Sequence, residues 1–425
     1  MSRRLLTLFE QPVGLATPAY TFLTQFQAGH GYTNNAGGSA DLNDTTDYTL
    51  GTQSVQATSD GAAAAKTIKK TGFTAVDFTG QIPVVWIKVD DHTKLAALQL
   101  YLGDTNLANY YRWEMKTTQA NKYLTAGDWC VMSLPWDHAT TTGTPNRAAI
   151  TDAQFRLVDD ASGAVTVHYN GIAKMPLPAD WPNGVCSITF DDSYASQYDT
   201  AFAKMDDFSF PGTLYTICEY IDAGGRLSMA NLREMRGLGW QVAGHSYTAA
   251  THAARFTGIT AAELHSELVS MRQWLKGNGF DPNHLAYPGG EFDKAIEDIC
   301  NQYVQTSRTI HQLMRESVPP TGRQKLRVLY VTNTTTLASV QTEIDDAYTN
   351  QDWIILAFHN LVAAPGATTE WAIADFESLM DYIDTKGIPV RTVGDVMARG
   401  SAARPALARH DRFQWRGGHL WRSGR

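Results

Sequence analysis

The chain has 425 residues, of which 43% are hydrophobic, 18% charged and 11% aromatic, and its net charge is -8. Two or three globular units are expected at that length, and the composition excludes a long disordered or collagen-like chain. The acidic balance excludes a general nucleic-acid binder, which needs a basic footprint, and no stretch of about 18 apolar residues is present to span a bilayer.

At the start, Arg3 and Arg4 are followed by Thr7, Glu10 and Pro12 instead of an apolar run, so no secretory signal is read. Residues 1–178 carry 13 Lys and Arg against 15 Asp and Glu. Short β-rich runs recur here: Val84–Val89, Leu98–Leu102, Trp129–Leu134 and Ala164–Tyr169. Gly, Asn, Asp, Thr and Pro clusters separate them, which predicts a β-sandwich of the jelly-roll kind. The proline-rich stretch Met175–Pro182 reads as a domain boundary. A chain beginning near Asp180 is expected to fold by itself.

Beyond it, residues 179–398 carry 15 basic against 27 acidic side chains. Strands alternate with helical stretches. Val185–Phe190, Gly212–Ile217, Trp240–Ala243, His284–Tyr287, Arg327–Val331, Trp353–Phe358 and Pro389–Thr392 read as strands. Leu264, Leu268, Met271 and Trp274 mark one helix face. This rhythm predicts a (β/α) barrel or an open α/β sheet. Residues 399–425, with 7 basic and 1 acidic side chain, read as a basic flexible tail. Cys130, Cys186, Cys218 and Cys300 form no Cys-x-x-Cys pair and read as buried free thiols.

The chemistry gathers where barrel strands end. Asp191 and Asp192 follow Phe190, His245 follows the run from Trp240, Gly289 and Gly290 follow Pro288, and His359 follows Phe358. Parallel strands bring such ends to one face. One carboxylate and two imidazoles suit zinc or a similar divalent ion, a second carboxylate suits a general base, a separate histidine suits a general acid, and turn amides suit an oxyanion. Each alone has an ordinary explanation, as a helix cap, a core histidine or a simple turn. Their order and strand-end context carry the reading.

That order resembles the NodB-homology polysaccharide deacetylases, the fourth carbohydrate esterase family, over roughly Asn183 to Met397. Ser187–Asp192 resembles the first motif, His245–Thr248 the opening of the second, Leu285–Gly290 the third and Leu356–Asn360 the last. The resemblance implies a distorted (β/α) barrel in which Asp191 is the general base and Asp192, His245 and His252 bind a divalent metal, zinc first among candidates. It also implies that the Gly289 amide holds the oxyanion and that His359 is the catalytic acid. The first segment resembles jelly-roll carbohydrate-binding modules, although its aromatics suit a sandwich core better, and no sugar-binding residue is named.

Three departures stand out. The family's second histidine comes four residues after the first, where this chain has Ala249. His252, seven residues after His245, fits if 249–251 bulges or loops, since that spacing on a regular helix is about 10 Å; Thr248 and Thr251 could brace such a loop. The third-motif arginine corresponds to Ala286, with Arg327 or Arg308 as replacements. The acidic partner of the catalytic histidine is not recognisable, although Asp345 and Asp346 lie nearby.

The implied function is metal-dependent deacetylation of a cell-envelope glycan, an N-acetylglucosamine polymer or peptidoglycan first. The alternative is a glycan-binding structural protein of a phage tail with a degenerate deacetylase domain. Either acts outside the cell. Without a signal, a bacteriophage minor tail protein released by lysis fits, as does a secreted protein whose start is not represented. A homo-oligomer or other tail proteins are the protein partners this setting implies; neither nucleic acid nor a membrane span enters.

Overall fold

The computed structural model describes residues 18–116, 123–312 and 314–398, together with the backbone of two short strands, Gln414–Arg416 and His419–Trp421. The flexible tail expected from 399 therefore lies, apart from those strands, outside the described residues.

The first unit is two antiparallel sheets. One runs Ser39–Asp44, Ser54–Thr58, Thr166–Pro176, Gln81–Val89, Trp129–Ser133, with Thr21–Thr24 also on Thr166–Pro176. The other runs Thr140–Thr142, Asn109–Glu114, Leu95–Asp104, Asp152–Asp159, Lys66–Lys70, Thr33–Asn34. Alternation along the strands explains why they pack as layers. Val85, Ile87 and Val89 face Leu98, Leu100, Leu102 and Phe155 in one shared core, while Val84 and Trp86 point to the opposite face. Each such side chain stabilises the sandwich by roughly 1.5–3 kcal/mol on full burial. The aromatics serve this packing: Trp113 and Tyr169 are buried, and Trp113 Nε1 donates to Pro135 O at 2.7 Å. The sandwich matches expectation. Two sheets of six strands in this order do not define a jelly roll, which has eight strands in two Greek keys.

The second unit is a curled sheet of seven parallel strands. Its order is Thr306–Arg308, His284–Ala286, Gln241–Ser246, Gly212–Ile217, Val185–Asp191, Trp353–Phe358, Leu329–Tyr330. The segment entering the last strand also meets the first edge. Leu326 N donates to Ser307 O at 3.0 Å, and Thr309 N donates to Leu326 O at 3.0 Å. One extended stretch thus touches both edges and curls the sheet toward a barrel.

The central strands are buried throughout because both faces are covered. Helix Ala261–Gly277, closed at its start by the Thr260–Glu263 capping box, lays Leu264, Leu268, Met271 and Leu275 on the sheet; Trp274, expected on that face, is only partly buried. Two expectations change. Pro389–Thr392 is not a strand: a single parallel bridge joins Val390 to Cys186. Thr306–Arg308 is a strand that its short, polar sequence did not announce. All four cysteines are buried and free. Among the described residues no helix is long and apolar enough to cross a membrane.

Candidate active site

Asp191 closes the central strand Val185–Asp191, and the chain then turns sharply. Asp192 and Ser193 both have positive φ, 68° and 58°. Asp tolerates this region better than most residues, yet two in succession are costly. The turn is held from outside: Arg226 Nη1 donates to Asp192 O at 2.8 Å, with its guanidinium between the Tyr194 and Tyr220 rings. The effect is to send the adjacent carboxylates to different partners.

Asp192 meets two imidazoles. Its Oδ1 lies 3.1 Å from His252 Nε2 and 3.6 Å from His245 Nε2, and the two Nε2 atoms are 3.1 Å apart. His245 sits in strand Gln241–Ser246, where its Nδ1 is 2.8 Å from Ala286 O. That contact makes Nδ1 the protonated nitrogen and leaves the Nε2 lone pair facing Asp192. His252 arrives by a different route from the bulge or loop expected. His245 is on a strand, so helical spacing does not apply. The chain turns a corner at Tyr247 and Thr248 and starts the short helix Ala249–Ala254, whose first turn is capped by Thr248 Oγ1 accepting from Thr251 N at 3.1 Å. His252 lies on that helix and points back.

Burial opposes the Asp192 carboxylate, but the His252 hydrogen bond and the fields of His245 and His359 outweigh it and hold the carboxyl well below the usual range. Burial pushes His245 down to about 4. One oxygen and two imidazole nitrogens, all within 4.8 Å of one another, are a donor set that fits a divalent ion with coordination positions left over.

Asp191 turns the other way. Its Oδ2 pairs with Arg308 Nη2 and lies 3.6 Å from His359 Nε2. Its Oδ1 is buried without a hydrogen-bond partner among the described residues. Of the two arginines offered as replacements, Arg308 is the one that touches Asp191. It comes from the strand beside Ala286, and the two residues are register partners, so the guanidinium is supplied one strand over. Arg327, the other candidate, is paired with Glu316 and does not reach the site.

His359 follows strand Trp353–Phe358. Burial lowers its pKa against the opposing charges of Asp191 and Asp192. Its Nδ1 has no hydrogen-bond partner among the described residues. Asp345 and Asp346 do not serve it: Asp345 pairs with Lys386, and Asp346 lies 3.9 Å from Arg315. Two neighbours went unnoticed in the sequence. Tyr330 OH is 3.4 Å from His359 Nε2, and Gln197 Nε2 donates to both Asp191 O, at 2.5 Å, and His359 O, at 3.1 Å. Tyr330 had a signal, since it lies near the end of an expected strand. Gln197 had none. Burial, and then the charge of Asp191, pushes the Tyr330 phenol up to about 12, so it stays neutral.

Gly289 lies beside Arg255. Its φ is 64°, in the region that favours glycine, and a Cβ there would also displace the flexible end of the Arg255 side chain. Arg255, itself at φ 67°, donates from Nη1 to His252 O at 2.6 Å.

Residues 180–306 match the polysaccharide deacetylase family. The match contains Asp191, Asp192, His245, His252 and Gly289, and ends before Arg308, Tyr330 and His359. A gellan lyase from a Bacillus species is 26% identical over 140 residues, which are 33% of this chain and 5% of that protein. The chain therefore spans a small part of the curated relative it matches. Among solved structures, it is similar to a family 4 carbohydrate esterase from Streptomyces lividans in complex with acetate, at 17% identity, over 48% of this chain and 90% of that one, with a TM-score of 0.33. The Streptococcus pyogenes deacetylase PplD in complex with acetate gives 17% identity, 34% and 64% coverage and 0.30. The esterase domain of a multidomain xylanase from the hindgut metagenome of Trinervitermes trinervoides gives 14%, 51% and 91%, and 0.36.

Proposed function

We propose that this chain hydrolyses acetyl groups from a glycan with the aid of a divalent metal, zinc first among the candidates. The observation that carries the reading is the divergence of two adjacent carboxylates at one strand end. Asp192 faces His245 and His252, while Asp191 faces Arg308 and His359. Asp192, His245 and His252 would hold the ion, which when bound supplies Lewis-acid activation of water and of the acetyl carbonyl.

The chain's own groups do the rest. Asp191 Oδ1 accepts the proton of the attacking water as its oxygen bonds to the acetyl carbon. Arg308 keeps Asp191 oriented through Oδ2. The Gly289 amide donates to the developing oxyanion. His359 Nε2 protonates the departing nitrogen or oxygen as its bond to the acetyl carbon breaks, giving acetate and a free amine or alcohol.

The binding-only reading rested on two departures from the family pattern, and the fold offers a compensation for each. His252 would replace the histidine missing at Ala249, and Arg308 would replace the arginine missing at Ala286. N-acetylglucosamine polymers, peptidoglycan among them, are the substrates we put first, and the place of action is outside the cell. Carriage in a phage tail would deliver the protein there, and proteomics of purified virions tests that placement. Acetate release from a panel of N- and O-acetylated glycans, with and without added zinc, tests the activity. Release from none of them would overturn it.

A further inference from the structure

We propose that the β-sandwich is a working part of the deacetylase site, because it clamps the segment that carries Arg308 and Tyr330. The proposal rests on the hydrolytic reading above for its kinetic readout only.

Arg308 touches the base and Tyr330 touches the acid. Between them the chain leaves the barrel, crosses to the sandwich and returns. On its way back, residues 325–328 alternate as an extended strand does. Leu326 and Val328 pack on the barrel among Val185 and Trp353. Lys325 and Arg327 point the other way, into the sandwich.

Both cations are buried, at 3% and 1% exposure, and both are fully engaged. Lys325 Nζ lies 2.8 Å from Asp128 Oδ2 and donates to Thr125 Oγ1 at 3.0 Å. Arg327 pairs with the fully buried Glu316 at 2.7 Å and donates from Nη1 to Ser133 O at 2.9 Å and from Nη2 to Ser133 Oγ at 2.5 Å. A third barrel side chain completes the seam: Thr321 Oγ1 donates to Val131 O at 3.0 Å and accepts from Ser133 N at 3.2 Å.

Val131 and Ser133 lie on Trp129–Ser133, the last strand of its sheet. An edge strand presents unpaired N–H and C=O groups that must be satisfied or covered. Here barrel side chains satisfy them in place of a further strand. The outgoing part of the segment is anchored as well, with Met314 inside the sandwich core and Arg315 paired with Asp137.

The clamp reaches the site in two short steps. Leu326, between the two pinned cations, accepts from Thr309 N and Thr309 Oγ1, each at 3.0 Å, next to Arg308. Tyr330 follows Arg327 by three residues. Asp128, Ser133 and Thr321 are therefore positioning residues, acting on the base and acid through Arg308 and Tyr330. The connection at 175–182 joins the units covalently, but this seam couples them.

Full-length Arg327→Lys keeps a charge opposite Glu316 and loses the planar fork to Ser133. Thr321→Val removes the bridging hydroxyl at nearly constant shape, and Thr321→Ser restores it. Val167→Ala, in the sandwich core away from the seam, is the control for general loss of stability. We expect Arg327→Lys and Thr321→Val to lower kcat at least tenfold with KM and metal content unchanged. Thr321→Ser should rescue, and Val167→Ala should stay within twofold of wild type. Amide hydrogen exchange should quicken at 306–308 and 329–331 in the two seam variants and not in Val167→Ala. Wild-type kcat in both seam variants, or an equal fall in Val167→Ala, overturns the proposal. If no form of the protein releases acetate, the hydrolytic reading fails, and exchange alone decides: unchanged rates at those amides overturn the clamp.

Discussion

Arg308→Ala separates orientation of the base from assembly of the metal site. Arg308 and Asp191 are 1% and 2% exposed, so the substitution leaves a buried carboxylate with no cation. Breaking one side of a buried pair typically costs about 3–5 kcal/mol. For a unit of this size each kcal/mol lowers the melting temperature by about 2–4 °C, so a fall of about 6–20 °C is expected in the barrel transition. Asp191 Oδ2 loses its fixed partner, Oδ1 is no longer aimed, and kcat should drop by about 10²–10⁴, the usual worth of a positioned base. Arg308→Lys returns the charge without the fork and should recover stability more than turnover. Asp192, His245 and His252 make no contact with Arg308, so metal content should stay at the wild-type level. The assay is acetate release at saturating glycan, paired with elemental analysis and a thermal melt. A variant that melts early yet turns over at the wild-type rate would refute the orienting role and leave Arg308 a structural cation.

Asp192→Ala should abolish metal binding while Asp191→Asn retains it and loses turnover; equal metal content in both, by elemental analysis, would break the division between the two carboxylates. His359→Ala should cut turnover about 10²–10⁴-fold and leave the metal in place; loss of the metal instead would make His359 a ligand. His252→Ala should weaken metal affinity by orders of magnitude without altering the melting of the sandwich, and undiminished affinity in a competition titration would remove it from the ligand set. Burial, and then Arg327, drives His311 down to about 3, so it folds neutral, whereas in the unfolded chain it titrates near 6.5. A base with a lowered folded pKa contributes stability that is present above the unfolded value and lost as pH falls. The urea midpoint should therefore decline from about pH 6.5 toward 3, less steeply in His311→Gln, and equal slopes would exclude the residue.

What was legible in the sequence was what is local. Phe190 to Asp192 and Phe358 to His359 are strand followed by strand end, and hydrophobic run and polar residue are adjacent in the text. His245 and Gly289 show themselves in the same way. Arg308 could only be offered beside Arg327, because the choice depends on which strand lies next to Ala286, and that strand is three polar residues long. The route of His252 differs from the bulge or loop expected over 249–251, because the strand ends at Ser246 and a new helix begins at Ala249. Aromatics of the first segment such as Trp86 and Tyr169 read as core before sugar platforms, and the sandwich buries both. The seam from Met314 to Arg327 was invisible, since charged residues in a polar stretch normally announce a loop in water, and their partners lie close to two hundred residues earlier.

The strand order has a consequence for how the molecule comes into being. Val185–Asp191 lies between Gly212–Ile217 and Trp353–Phe358, so its two neighbours emerge from synthesis at very different times. Asp192, His245 and His252 are all made within some seventy residues of that strand's beginning, whereas Arg308, Tyr330 and His359 come later. Pairings between distant parts of a chain form slowly, and larger proteins mature by stages. A nascent chain halted before Trp353 would carry every proposed ligand of the ion and lack the proposed acid. Its central strand would still be an open edge. The capacity to capture a metal would thus precede the capacity to use it, and the last strand to dock would be the one that brings the acid.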